Sequence, residues 1–221
     1  MKKVTCYALL LAPLALIACG KKAAEPAPAP VVVVAAAPAA PAAASVDPDK
    51  LSNEQRELAR KQAKLDYGTM EDKHINDARA QWAATATAST SFGNGESESN
   101  KPVNATGGLD GKSWTNNQQD IGFDWIELAY AKPVNATEVR AVVDRAAAES
   151  LTKIELQDTD GKWNQVWSGI SDVKQDERGP RTWFVRTFDK TAYKVKAVKY
   201  TFANNVHSGY KEVEAAQLVG D

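Results

Sequence analysis

The chain has 221 residues, with 27 basic against 28 acidic side chains, two cysteines and two histidines. That near-neutral balance excludes a polyanion binder by net charge, and with it nucleic acid as a partner. So few cysteines and histidines argue against a zinc cluster or a disulfide scaffold, and the hydrophobic fraction of 43% is uneven, because alanine and valine crowd into the stretch before residue 50.

Residues 1–18 have the grammar of an export signal. Lys2 and Lys3 supply a positive start, and an apolar run from Ala8 to Ala18, interrupted by Pro13, is too short to span a bilayer. The run ends in Leu16-Ile17-Ala18-Cys19, which resembles the lipobox of bacterial lipoproteins. The resemblance implies cleavage before Cys19 and lipidation of its thiol, so that acyl chains, at about 0.8 kcal/mol per buried CH₂, provide the membrane attachment. Cys6 then leaves with the signal and no free thiol remains for disulfides or thiol catalysis. The mature chain keeps 25 basic and 28 acidic side chains, a net charge of minus three. Gly20, rather than aspartate, follows the cysteine, which by the enterobacterial sorting rule implies the outer membrane of a Gram-negative envelope.

Residues 21–48 are almost all Ala, Pro and Val, with prolines too close together for a helix interior. This is a linker; in polyproline II geometry the 31 residues from 20 to 50 would extend on the order of 90 Å.

A helical neck is expected over 51–82. Ser52 with Gln55 forms a capping box and Glu57 with Lys61 an i,i+4 pair, so a helix should run to about Tyr67 and end at Gly68. Thr69 and Asp72 open a second helical stretch that places Ile75, Ala78 and Trp82 on one face, toward the domain. Leu51, Leu58 and Leu65 repeat every seven residues, a run too short for a sustained coiled coil. His74, among Glu71, Asp72 and Asp77, reads as a solvated surface histidine.

From residue 83 the pattern changes to short strands separated by turn residues. Strands are expected at ATATAS, 125–130, 137–143, 152–157, 163–167, 182–188, 195–202 and 212–219, with Asp160-Gly161 as a hairpin turn. Trp114, Trp125, Ile126, Leu128, Ile154, Leu156, Val166 and Leu218 are the expected core. Eight such strands fit one all-β, antiparallel sandwich over 83–221.

The order of these pieces carries a resemblance. ATAST, then LDG with Trp114, then DWIELAYAKPVNATEVR, KIELQDTDGKWNQVW, a strand with VKAVKY at 195–200, and a closing GYKEVEAAQLVG together resemble the discoidin, or coagulation factor 5/8 type C, domains of the galactose-binding-like superfamily. The resemblance covers 83–220 and implies an eight-stranded jelly roll. Many members hold a structural calcium, which here would put the Leu109 carbonyl, Asp110, Ser113 and one of Glu212 or Glu214 around the ion. Lys112 departs from that pattern, and Asp110 also reads simply as a turn residue.

Such domains bind sugars, lipid head groups or proteins through loops at one end. The segment NNVHSGY at 204–210 is the most sugar-like in composition: Asn204, Asn205 and His207 offer hydrogen bonds to hydroxyls and Tyr210 an aromatic face. Arg145, Arg178 and Arg181 are candidates for a carboxylate or phosphate. Turn chemistry and packing would also account for each of these residues. Enzymatic readings find no support, since the chain has no Gly-x-Ser-x-Gly, His-Glu-x-x-His or phosphate-loop motif. Two functions follow: an envelope-carbohydrate-binding lipoprotein, or a protein-interaction module such as an envelope scaffold or an immunity-like lipoprotein.

Overall fold

The computed structural model describes residues 52–95 and 98–221. The signal, the lipobox with Cys19, the linker and Leu51 lie outside the described residues. Among those described there are eight strands: β1 (Ala80–Ala88), β2 (Trp114–Thr115), β3 (Phe123–Val143), β4 (Leu151–Asp158), β5 (Trp163–Ser168), β6 (Thr182–Thr187), β7 (Lys194–Ala203) and β8 (Glu212–Gly220). Helix α1 (Asn53–Ile75) precedes them and α2 (Arg145–Ser150) joins β3 to β4.

Every pairing is antiparallel, and the expected all-β, eight-stranded sandwich forms. In one layer β8 lies between the first residues of β1 and the second half of β3, with β2 also on β8 and β6 on β3. In the other, the rest of β1, the first half of β3, β7, β4 and β5 follow in order. β1 and β3 belong to both layers, so the two are stitched by continuous chain. Ile126, Leu128, Leu156, Phe184, Val198 and Leu218 are among the residues that fill the space between them. The Trp167 ring of β5 meets Phe184 of β6 edge-on at 5.9 Å, and the Tyr200 hydroxyl of β7 donates to the Arg140 carbonyl of β3. Such contacts define a single core rather than two sheets with separate ones.

Three local readings are corrected. The strands expected at 125–130 and 137–143 are one strand: Pro133 lies at a register break between Ala129 and Val134, where the ladder requires no donor from it. The stretch between the strands expected at 137–143 and 152–157, read only as turn residues, is α2, whose N-cap Asp144 accepts from the backbone amides of Ala146 and Ala147. The neck is one helix, not two, and its tail is strand, with Ala80, Gln81 and Trp82 pairing with β8.

Helix α1 opens with the expected capping box at Ser52 and Gln55, and Glu57 and Lys61 pair at 2.8 Å. A glycine inside a helix costs about 1 kcal/mol relative to alanine, yet the helix runs through Gly68 because the next turns dock onto the sandwich. Tyr67 is buried, its hydroxyl 3.1 Å from both the carbonyl and the amide of Arg181. Gly179 passes so close that a Cβ there would come within 2.2 Å of the Tyr67 ring, which accounts for glycine at that position. His74 is half-buried against Trp183, with ring centroids 4.9 Å apart. It is therefore not the solvated histidine expected, and Ile75 and Ala78 are exposed rather than packed.

Candidate functional site

The antiparallel pairing brings loops from distant parts of the chain to one end of the sandwich. Ala88 lies opposite Ile126, Phe123 opposite Ala203, Leu151 opposite Phe202 and Lys153 opposite Ser168. The end of β1, the approach to β3, the turn after β7 and the β4/β5 edge therefore meet there.

Beneath this end lies a closed polar network. Asp124, buried at the start of β3, accepts from Ser89, Thr90, Asn116 and Asn204 at 2.7–3.0 Å. Burial would push its carboxyl up, but these four donors outweigh it and hold the group below the usual carboxylate range. Asn116 and Asn204 also bond to each other at 3.2 Å, and Asn116 accepts from the Lys211 amide at 2.8 Å. The network ties the segments after β1, before β3 and after β7 into one unit.

Above it the surface is apolar in patches. Phe123 is 68% exposed, and Phe92, Ile121, Ile170 and Val206 are exposed too. Phe123 flanks a shallow depression of about 470 Å³, whose other walls are Thr152, Lys153, Ser168 and Thr201. An aromatic ring beside three hydroxyls and an ammonium can stack on an apolar ligand face while hydrogen-bonding its rim.

The candidates named from sequence fall into three places. Asn205, His207 and Tyr210 lie on the loop end, where Tyr210 stands edge-on to Phe92 at 4.8 Å. Asn204 is fully buried inside the network and offers nothing to a ligand, because its amide already bonds to Asp124, to Asn116 and to the Ile121 carbonyl. Arg145 is exposed and pairs with Glu149 within α2. Arg178 and Arg181 serve the helix seat instead: Arg178 bonds Asp176 at 2.7 Å and lies against the Met70 sulfur, and Arg181 bonds Glu214 at 3.1 Å and Glu71 at 3.5 Å.

Sequence reasoning missed Phe123, Thr152, Lys153, Ser168 and Thr201. It also placed Trp125 in the core, whereas its ring faces outward, half-buried under Lys199, whose ammonium lies 5.0 Å from it and 4.1 Å from the Trp163 ring. Strict alternation along FDWIELAY holds the signal for both errors: with Asp124, Ile126 and Leu128 inward, Phe123 and Trp125 must point out.

Of the residues that the resemblance assigns to calcium, Ser113, Glu212 and Glu214 line a cavity of about 210 Å³ together with Lys112, Asp144 and Arg181, whereas Leu109 and Asp110 are not part of its wall. The side chains of Asp110, Ser113, Glu212 and Glu214 each already have a partner. Asp110 accepts from the Lys112 amide and ammonium, both at 3.0 Å. Glu214 accepts from the Gly111 amide and from Arg181, and Glu212 accepts from the Ser113 hydroxyl. Among the described residues no group of three or more His, Cys, Asp or Glu side chains could hold a metal ion. Two cations beside these carboxylates do not fit a calcium that requires six to eight oxygens.

No family model matches the chain, and no curated protein matches it. Solved structures of similar fold include the family 32 carbohydrate-binding module of Clostridium perfringens NanJ in complex with galactose, at 14% identity and TM-score 0.49, covering 63% of this chain and 98% of that one. Another is chitosan-binding module 1 of a Paenibacillus sp. IK-5 chitosanase/glucanase, at 18% identity and TM-score 0.47, covering 62% of this chain and 94% of that one. A third is the family 32 module of AlyQ in complex with 4,5-unsaturated mannuronic acid, at 16% and 0.46, covering 64% and 99%. Likeness at these identities is a likeness of fold alone.

Proposed function

We propose that this protein is a lipid-anchored, non-catalytic component of a bacterial cell envelope whose β domain binds an envelope carbohydrate through its loop end. The observation that carries the reading is the exposed Phe123 ring set among Thr152, Ser168, Thr201 and the Lys153 ammonium. A sugar ring has one apolar face and a rim of hydroxyls, and that depression offers the complement of both. Retention of the purified chain on isolated peptidoglycan and on envelope polysaccharides tests it. Retention should saturate and fall about tenfold in Phe123→Ala, the loss of one stacked aromatic; failure to bind any of these glycans would remove the reading.

A second reading, a protein partner, is favoured by Ile121 and Ile170, apolar side chains exposed at the same end. Capture of an envelope protein that Ile170→Asp abolishes, with glycan retention absent, would put it first.

Attachment through a lipidated Cys19 rests on the Leu16-Ile17-Ala18-Cys19 motif, and placement in an outer membrane on Gly20 after it. The expected result is incorporation of labelled palmitate in the native chain, and its loss together with release to the soluble fraction in Cys19→Ser.

A further inference from the structure

The side chain of Lys211, in the segment between β7 and β8, has no solvent exposure at all. Its Nζ donates to four main-chain carbonyl oxygens: Gln119 at 2.6 Å, Gly209 at 2.7 Å, His207 at 2.9 Å and Asn204 at 3.1 Å. One comes from the segment leading into β3 and three from the turn after β7. Four acceptors converge on three hydrogens, a crowding of oxygens typical of a cation site rather than of a single hydrogen bond. A buried ammonium is costly unless it is fully hydrogen-bonded, and this one is. Burial still pushes its pKa down, with Asp144, Asp124 and Asp120 acting in the opposite direction. Its main chain is held as well, with the amide on Asn116 Oδ1 and the carbonyl accepting from the Asn116 amide at 3.1 Å.

We propose that Lys211 is a resident cation and a positioning residue: its ammonium gathers the carbonyls of the 116–122 and 204–210 loops as a metal ion would, and so fixes the loop end that presents the ligand surface. The claim about the cage stands by itself, whereas its consequence for ligands rests on the carbohydrate reading above. Without the ammonium, four inward-facing carbonyls would be left without a donor, and the loops would have to open to hydrate them. Besides the Asp124 network and the bond from the Asn204 amide to the Gly122 carbonyl, this ammonium is the partner the two loops share, so they would loosen together while the strands stay paired.

The test uses the full chain in detergent. In the native protein, proton–nitrogen spectra of the lysine side chains should show one NH₃⁺ group that exchanges with water far more slowly than the others, and that signal should vanish in Lys211→Met. In the same variant, amide exchange at Asn204 and Val206 should accelerate on the order of tenfold or more, with Leu156 and Val219 in the strands unchanged. Retention on peptidoglycan should fall by a similar factor. Uniformly fast exchange of all lysine Nζ hydrogens in the native chain would overturn the proposal, and that measurement decides even if Lys211→Met does not fold. Unchanged loop exchange in a folded Lys211→Met would overturn it equally. A slow NH₃⁺ and loosened loops in a chain that never bound glycan would sink the carbohydrate reading and leave the cage standing.

Discussion

Arg140 concentrates more of this domain's electrostatics than any residue named from sequence. It is 4% exposed on β3, and each of its nitrogens has a partner. Nη2 bonds Asp77 at 2.8 Å, Nη1 bonds Gln217 and the His74 carbonyl, and Nε bonds Glu138. Burial acts to raise the Asp77 carboxyl, but donors from Arg140 and Arg79 hold it down to about 2. The sign of the pH dependence follows. A carboxylate whose folded value lies below its unfolded one contributes fully above the unfolded range near 4, and that contribution is lost as pH falls toward 2. Asp77→Asn should therefore lower stability at pH 7 by about 1–3 kcal/mol, and the gap from the native protein should close between pH 4 and pH 2. Thermal melts of the two proteins across that range check it. Asp124, also held low, contributes to the acid limb of both and cancels in the comparison. A gap that stayed constant down to pH 2 would mean that Asp77 does not act through its charge.

At the scale of elements, what was legible in the sequence was whatever the chain specifies locally. The capping box of α1 and the Asp160-Gly161 turn, with Gly161 at φ +91°, form where their residues say they should. What was not legible depends on partners far along the chain. Two residues at Trp114–Thr115 make no pattern of their own and become a strand only because β8 offers Val213 and Glu212 as partners. Ala80, Gln81 and Trp82 fit a helical face as well as a strand, and the β8 edge decides the matter. Gly68 signals a helix end, but Tyr67 and His74 anchor the next two turns to the sandwich and override it. The candidate site is the extreme case, because Phe123, Thr152, Ser168 and Thr201 come from four strands and no spacing in the sequence links them. Of the residues named from sequence as ligand candidates, Asn204, picked for a sugar, is a framework residue, and Arg178 and Arg181, picked for a carboxylate or phosphate, seat a helix. Polar side chains in turns are selected by turn and network chemistry as readily as by ligands.

For the molecule as a whole, the closing strand β8 raises the question of what holds the ends of the sandwich together. The resemblance to discoidin domains assigns part of that task to calcium, whereas here side chains of the protein occupy the same neighbourhood. Arg181 links Glu214 of β8 to Glu71 of α1, Glu214 also receives the Gly111 amide, and Lys112 neutralises Asp110. A calcium site with a dissociation constant a hundredfold below the calcium concentration would stabilise the folded state by about 2.7 kcal/mol. For a domain of this size that corresponds to a rise in Tm of roughly 5–10 °C, well within the resolution of a melting curve. The native protein should melt at the same temperature in millimolar calcium as in excess chelator, because an incoming dication would have to displace a guanidinium and an ammonium from the carboxylates it needs. Arg181→Met should lower Tm in both media, since it leaves Glu71 and Glu214 without their shared cation. It should also lower it less when calcium is present, because the freed carboxylates then have use for one. A native Tm that climbs with calcium would show that the cations of this site yield to the metal, and would restore the calcium assignment of Asp110, Ser113, Glu212 and Glu214.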